Sequence, residues 1–259
     1  MFKKLKAKYL ENRFLFSELV KRDFKKKYKR TYLGMLWSVL SPLLTLLVMR
    51  IVFTQFFGQS IPHYTTYLFC GNIVFSFFNE ATGTGMSSLL DNASIFSKIN
   101  VPKYLFLFSK NISSLINFGL TFLVFLVFCV IDRVPFTPYF LCLVIPFLCL
   151  ILFNIGTGLI LSALFVFFRD IRYLWSVFTM LLMYMSAIFY TTDVYPPVIQ
   201  ALFHINPIYV YIKYMRILVL DGTMPSLELT ALAVFYALAV MGIGALIYKT
   251  KNHKFLYYI

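Results

Sequence analysis

Chemistry in a protein needs groups that attack, hold a metal or move protons, and the 259 residues offer few of them in any useful spacing. There are ten acidic residues and three histidines, and Glu80 is the one acid lying well inside an apolar run. Cys70, Cys129, Cys142 and Cys149 all sit in apolar stretches with no CxxC spacing and no clustered histidines. They read as small core or lipid-facing residues, because metal and redox sites need tight ligand spacing. The GxxxxGK[ST] phosphate loop occurs nowhere, so the usual cradle of backbone amides for ATP is absent. A membrane-embedded transferase or a proton-coupled pump would need a cluster of acids or histidines for acid-base work, and none is present. No catalytic residue, no metal site and no cofactor is expected on this chain.

The segments that would position any site are apolar. Sixty per cent of the residues are apolar and 13% are charged, where a soluble domain carries roughly 25% charged residues. Mean hydropathy is +0.79. Contiguous apolar runs of this length fit lipid as solvent. The predicted spans are 34–57, 64–84, 109–131, 139–168, 173–190 and 229–248. The first would rise roughly 36 Å as a helix, enough to cross with some tilt, and Pro42 is placed to kink it. The expected fold is all-α, an integral membrane protein with six transmembrane helices. No cleavable signal peptide is expected, because the first apolar run follows more than thirty basic-rich residues.

Charge placement orients the chain. Twelve of the 24 basic residues precede the first span. With both termini inside, inner segments carry twenty basic residues and outer segments only Arg133, Lys213 and Arg216. That bias is the positive-inside pattern, so the net charge of +14 points to anionic lipid headgroups rather than nucleic acid.

Two stretches do not span. Over residues 10–33, Phe16, Val20, Phe24, Tyr28 and Tyr32 recur every four residues, an apolar helical face interrupted by Lys21 and Lys27. It is expected to lie at the cytoplasmic interface. Residues 191–228 carry Pro196, Pro197 and Pro207, and the apolar piece 208–220 is too short to cross. This predicts a re-entrant helical hairpin on the outer side before the last span. No internal repeat is visible, which disfavours a secondary transporter built from inverted halves.

The run LVKRDFKKKYKRTYLGMLWSVLSPLL at 19–44 resembles the opening of the ABC-2-type permeases of bacterial polysaccharide exporters, the membrane subunits of O-antigen, teichoic acid and capsule-type glycan transporters. The agreement lies in Arg22, Asp23, Tyr28, Leu33, Gly34, Trp37 and Pro42. FRDIRYLW at 168–175, SAIFY at 186–190 and INP at 205–207 followed by Arg216 keep the family's order, so the resemblance covers nearly the whole chain. It departs at Ala187, where the family often has proline, which leaves the helix break there in question.

The resemblance implies a single transmembrane domain over 1–259 that acts in the bacterial plasma membrane as a homodimer. Two ATP-binding cassette subunits would supply ATP and Mg, and a lipid-linked glycan would be exported. It places a coupling helix in 91–104, where Asp91 could cap a helix and Ile95, Phe96 and Ile99 would form an apolar knob beside Lys98; an ordinary connecting helix is the alternative. Lys29, Arg30, Tyr32 and Trp37 would frame the substrate entrance, with Lys29 and Arg30 either meeting a pyrophosphate or serving as positive-inside flank. Arg50, Tyr67, Phe75, Trp175, Tyr184 and Tyr190 are candidates to line a channel, since sugar rings stack their C–H faces on aromatic rings. Lipid contact and helix packing are the alternatives for each ring, and Arg50 either faces the pathway or snorkels outward. Pro196, Pro197, Pro207 and Arg216 would form an outer gate. Export of a drug, lipid or peptide by the same architecture, and a membrane-embedded transferase acting on a lipid carrier, are the competing functions.

Overall fold

A computed structural model describes residues 2–28, 32–58, 61–98, 101–252 and 254–258, and every described element is helical. In chain order these are α1 (Phe2–Tyr28), α2 (Trp37–Phe57), α3 (Tyr64–Asp91), α4 (Ala93–Phe96), α5 (Tyr104–Ile131), α6 (Val144–Phe167), α7 (Ile171–Met185), α8 (Pro197–Phe203), α9 (Pro207–Arg216) and α10 (Leu227–Lys251). A 3-10 turn, Pro138–Leu143, leads into α6, and a π-helical turn, Ile217–Asp221, continues α9.

Among the described residues, four stretches are long and apolar enough to cross a membrane: Trp37–Phe56, Tyr104–Ile131, Pro138–Phe167 and Leu227–Lys251. The helix over the second predicted span differs in kind. It runs past residue 84 to Asp91, about 42 Å in all, and 20 of its 28 residues are buried by neighbouring helices. Its Asn, Thr, Ser and Gly residues are tolerated because protein, not lipid, surrounds them. The predicted span 173–190 also needs correction. The α7 helix covers Ile171–Met185, about 22 Å, and residues 186–190, which the predicted span included, are irregular.

The helix break arises without a proline. Ala187 adopts φ +49, the left-handed region that ends helices. Downstream, Pro197 and Pro207 are the first residues of α8 and α9, where the missing N–H and fixed φ of proline suit a helix start. The Asn206 side chain accepts from the Ile208 N–H at 3.0 Å and caps α9. The α9 helix is almost wholly buried, against α3, α6 and α10.

The described part of the helix expected at 10–33 packs along α5 with Leu19 and Asp23 buried. Phe16, Val20 and Phe24 are half-buried. The inner face is thus centred on Leu19 and Asp23, between the expected apolar stripe and the charged side.

The closest helix pair is α6 and α10. A Cβ on Gly156 would meet the Met241 backbone N at 2.5 Å, and one on Gly244 would meet the Gly156 carbonyl oxygen at 2.7 Å. Paired small residues let two backbones touch, the means by which membrane helices gain dispersion contact without a hydrophobic driving force. Gly156→Val should therefore force the pair apart and cost about 1–3 kcal/mol or more, seen as a lowered unfolding temperature in detergent. Gly119→Val, where nothing lies within 4 Å, should leave it nearly unchanged; equal behaviour of the two variants would refute the seam.

Candidate functional site

At the end of the bundle where α3 turns into α4, a lattice of charge-assisted hydrogen bonds ties four elements together. The Arg22 guanidinium on α1 donates through Nε and Nη2 to Asp23 Oδ1 at 3.1 and 2.8 Å, and through Nη2 to Asn92 Oδ1 at 2.7 Å. Asn92 returns its amide to the Ser88 carbonyl at 2.7 Å. From α5, the Ser109 hydroxyl donates to Asp23 Oδ2 at 3.2 Å, and Lys110 lies 3.6 Å from Asp23 and 3.3 Å from Asp91. Asp23 is a buried carboxylate, tolerable only because three side chains meet its charge. One helical turn along from Asp23, Lys27 donates to Glu80 Oε1 at 3.0 Å, and Asn117 donates to the same oxygen at 2.7 Å.

Two expectations about this region are corrected. Asp91 does not cap α4: it closes α3, where its carboxylate accepts from Ser87 at 2.9 Å and pairs with Lys110. Asn92 holds the N-cap position, and its side chain is spent on Arg22 and Ser88. Phe96 is not part of a protruding knob. It is buried against Phe106, ring centres 5.8 Å apart, while Ala93 and Ile95 pack only partly against the same cluster. Ile95 is half-buried, while Ser94, Ser97 and Lys98 are exposed. Lys103 places its ammonium near the Phe96 and Phe255 rings and bonds the Asn252 carbonyl, so the end of α10 joins the assembly. Burial lowers the pKa of that ammonium. Lys29, Arg30 and Ile99 lie outside the described residues; Tyr32 and Trp37 are exposed.

The opposite end is organised around Arg216. Its guanidinium carbon lies 3.4 Å from the centre of the Tyr67 ring, a cation–π contact. Nη1 donates to Tyr67 Oη at 2.8 Å and to the Ala187 carbonyl at 2.9 Å, and Nη2 donates to the Ile188 carbonyl at 2.9 Å. Tyr64 and Tyr67 donate to the next two carbonyls, Phe189 at 2.9 Å and Tyr190 at 2.6 Å. Four successive carbonyls of the broken segment are thus received by three side chains. Asn206 adds a bond to the Met185 carbonyl at 3.2 Å. Gly71 makes the approach possible, since a Cβ there would stand 3.1 Å from Arg216 Nη2.

Beside this segment, His204 Nδ1 donates to the Gln200 carbonyl at 3.1 Å and Nε2 faces Lys213 Nζ at 3.4 Å, the tautomer that lets Nε2 accept from the ammonium. Burial, with Lys213 adding to it, lowers the His204 pKa, while burial and then Asp193 raise that of Asp221.

The six channel candidates do not share one surface. Tyr67 and Phe75 are buried, Trp175 and Tyr190 are half-buried, and Arg50 and Tyr184 are exposed. Sequence reasoning did not single out the exposed face of α3. Of that helix, only Ser76, Asn79 and Asp91 are exposed, and all are polar, while α2, α5, α7 and α10 expose leucine, valine, isoleucine and phenylalanine. These polar residues interrupt an otherwise lipophilic surface. The signal was present as polar residues at helical spacing along 72–88.

Residues 15–220 match the family model described as ABC-2 type transporter. The chain belongs to the ABC-2 type transporter family. It is similar to two O-antigen export system permease proteins RfbA of Klebsiella pneumoniae, at 28% identity over 93% of this chain and 95% of the relative, and at 26% over 97% and 98%. It is also similar to the O-antigen export system permease protein RfbA of Myxococcus xanthus, at 29% over 62% of each chain. In this ABC-2 type transporter chain, SAIFY forms the broken segment, and the arginine following INP is one of the three residues that receive it.

Arg216→Met should leave the Ala187 and Ile188 carbonyls buried and unpaired, at a cost of about 2–5 kcal/mol, and Tyr67→Phe should cost about 1–3 kcal/mol. Because both act on one cluster, the double variant should lose less than the sum. Unfolding followed by tryptophan fluorescence in detergent tests this; strictly additive losses would separate the two residues.

Proposed function

We propose that the chain is the membrane-spanning subunit of an exporter that moves a lipid-linked polysaccharide, of O-antigen or teichoic-acid type, across the bacterial plasma membrane. Two copies form the pathway, and two ATP-binding cassette subunits carry ATP and Mg. The reading is carried by likeness along nearly the full length of both chains to permeases named for O-antigen export. The excess of basic residues on one side of the predicted topology supports six crossings, with α3 and α7 counted among them and both termini in the cytoplasm. The chain itself is a permease and performs no catalysis.

In this reading α4 meets the ATPase through Ser94, Ser97 and Lys98, its exposed side. Movement of α4 reaches α1 through Asn92 and Arg22, and reaches α5 through Asp91 and Lys110. The polar strip of α3, with Trp175 and Tyr184 of α7, borders the path of the glycan. Nucleotide can open that path only by binding one conformation more tightly than the other.

The purified chain should hydrolyse no ATP alone and should copurify with its cassette subunit as a two-plus-two complex. Deleting the gene should cause a lipid-linked polymer to accumulate on the inner side of the membrane; accumulation of no such polymer would sink the polysaccharide assignment. Arg22→Ala should leave basal ATP hydrolysis by the partner intact and lower export about tenfold, the scale of one charge-assisted hydrogen bond. Unimpaired export in that variant would remove α1 from the transmission route.

A further inference from the structure

A cavity of about 480 Å³ lies between α9, the π-helical turn that continues it and the start of α10, within the size range of small-ligand sites. Leu229 and Leu232 in its wall belong to the apolar stretch Leu227–Lys251, and the cavity stands at the end of that stretch opposite Lys249 and Lys251. It therefore sits where a span begins, the level of lipid headgroups rather than of acyl chains. No residue of α3 lines it, so it is separate from the polar strip of that helix.

Its charges are ordered along one helical face. Lys213, Ile217 and Asp221 line it at intervals of four residues, which puts the ammonium and the carboxylate on one side of the helix with Cα atoms about 12 Å apart. Lys213 approaches His204 Nε2 at 3.4 Å and the Tyr209 ring at 5.8 Å, which uses one of its three N–H donors. Among the described residues no carboxylate stands within ion-pair distance of it, and Asp221 and Glu228, both in the lining, receive no donor. Burial and then Asp193 raise the pKa of Asp221, so this end gains from a cation. At the other end the lowered pKa of His204 keeps the imidazole neutral, and Lys213 is the positive charge of the lining.

Opposite charges that do not reach each other are each costly at a lipid boundary, and a ligand carrying the complementary pair satisfies both. A lone phosphate would meet the repulsion of two carboxylates, and a lone metal ion would leave Lys213 unmet. The nitrogen end is restricted further. No Phe, Tyr or Trp ring lines the cavity among the described residues, so a quaternary ammonium finds no cation–π face, whereas a primary ammonium brings three N–H donors to the carboxylates.

We propose that this cavity binds a phosphoethanolamine group, with the phosphate on Lys213 and the primary ammonium on Asp221 and Glu228. Two charge-assisted hydrogen bonds of about 2.8 Å, with the O–C–C–N bridge between them, cover a separation of the order found along the helix. Ile217, Leu229 and Leu232 offer apolar contact to the glycerol end of a lipid. The same chemistry serves the headgroup of phosphatidylethanolamine or free phosphoethanolamine. Occupancy needs no ATP, cassette subunit or exported polymer, so its failure would leave the exporter assignment standing.

The test uses the full chain, stripped of lipid in detergent, with bound molecules counted by native mass spectrometry. Dihexanoyl forms of phosphatidylethanolamine, phosphatidylcholine and phosphatidylglycerol, and free phosphoethanolamine, are titrated separately. The expected result is saturable binding of phosphatidylethanolamine with affinity about tenfold above that of phosphatidylcholine, the scale of one charge-assisted hydrogen bond. Asp221→Asn combined with Glu228→Gln, isosteric changes at exposed positions, should erase that preference and leave phosphatidylcholine binding unchanged. Lys213→Gln should instead weaken both lipids about tenfold. A response to free phosphoethanolamine as well assigns a soluble source beside the lipid; a response to the lipid alone assigns the headgroup. Equal affinity for the ethanolamine and choline lipids, tighter binding of phosphatidylglycerol, no saturable binding, or unchanged binding in either variant would overturn the proposal.

Discussion

A chain that leaves the helix within a membrane protein strands its carbonyls away from water, and each must find a donor in the protein. At residues 187–190 that constraint is met by Arg216, Tyr64 and Tyr67, and the geometry of one end of the molecule follows from it. The donors come from two elements, so α3 must run past the break and α9 must return to it. Arg216 brings a full charge into a buried place with no carboxylate beside it among the described residues. Its compensation is the face of Tyr67 and four oxygens, which together replace part of the hydration it lost. The short α9, its capping Asn206 and the space left by Gly71 are consequences of holding that guanidinium where the carbonyls need it.

The same helix, α3, anchors the other end through different chemistry. There the donors are cations and the acceptors are carboxylates and an amide, arranged so that each charge has more than one partner. Lys110 sits between Asp23 and Asp91, and Arg22 between Asp23 and Asn92. Networks of this kind specify a single arrangement because leaving out one member strands the rest. Between the two anchored ends, α3 is sheathed on nearly all sides and exposes only polar residues.

The parts of this arrangement visible in the amino-acid order are those set by local rules. Four apolar runs announced four helices, and Pro197 and Pro207 announced the starts of two short ones. The family resemblance placed SAIFY and Arg216 near one another in importance. What was not visible is pairing across distance. Tyr67 and Arg216 are separated by 149 residues, and no spacing rule links a tyrosine in one span to an arginine in another. Phe96 shows a second limit. Ile95 and Phe96 are adjacent and equally apolar, and only the direction of approach of α5 decides which turns inward. Asp91 shows a third, since a carboxylate placed to cap a helix can instead pair with a lysine on a neighbouring one. Ala187 shows that a break read as needing proline can be made by a single residue at positive φ once its carbonyls are received elsewhere.

Both anchored ends use residues of one continuous helix, and this has a mechanical consequence. A helix of about 42 Å whose hydrogen bonds are internal bends little, so a shift imposed at Asn92 cannot be absorbed within α3 without loss of its packing against α5 and α6. It must appear as a shift of Tyr64 and Tyr67 relative to the broken segment, or as sliding of α3 along its sheath. The glycines of α3 at its contact with α5 and α6 favour sliding: Gly85 faces the α carbon of Gly158 and a methyl of Leu107, with its absent Cβ at 3.4 and 3.3 Å from them, a smooth contact without interlocking side chains. By contrast, the junction at Arg216 is held by directional bonds and resists displacement. Motion imposed at the α4 end would therefore be resisted at the point where the chain leaves the helix, and the segment 186–190 is where that resistance is concentrated.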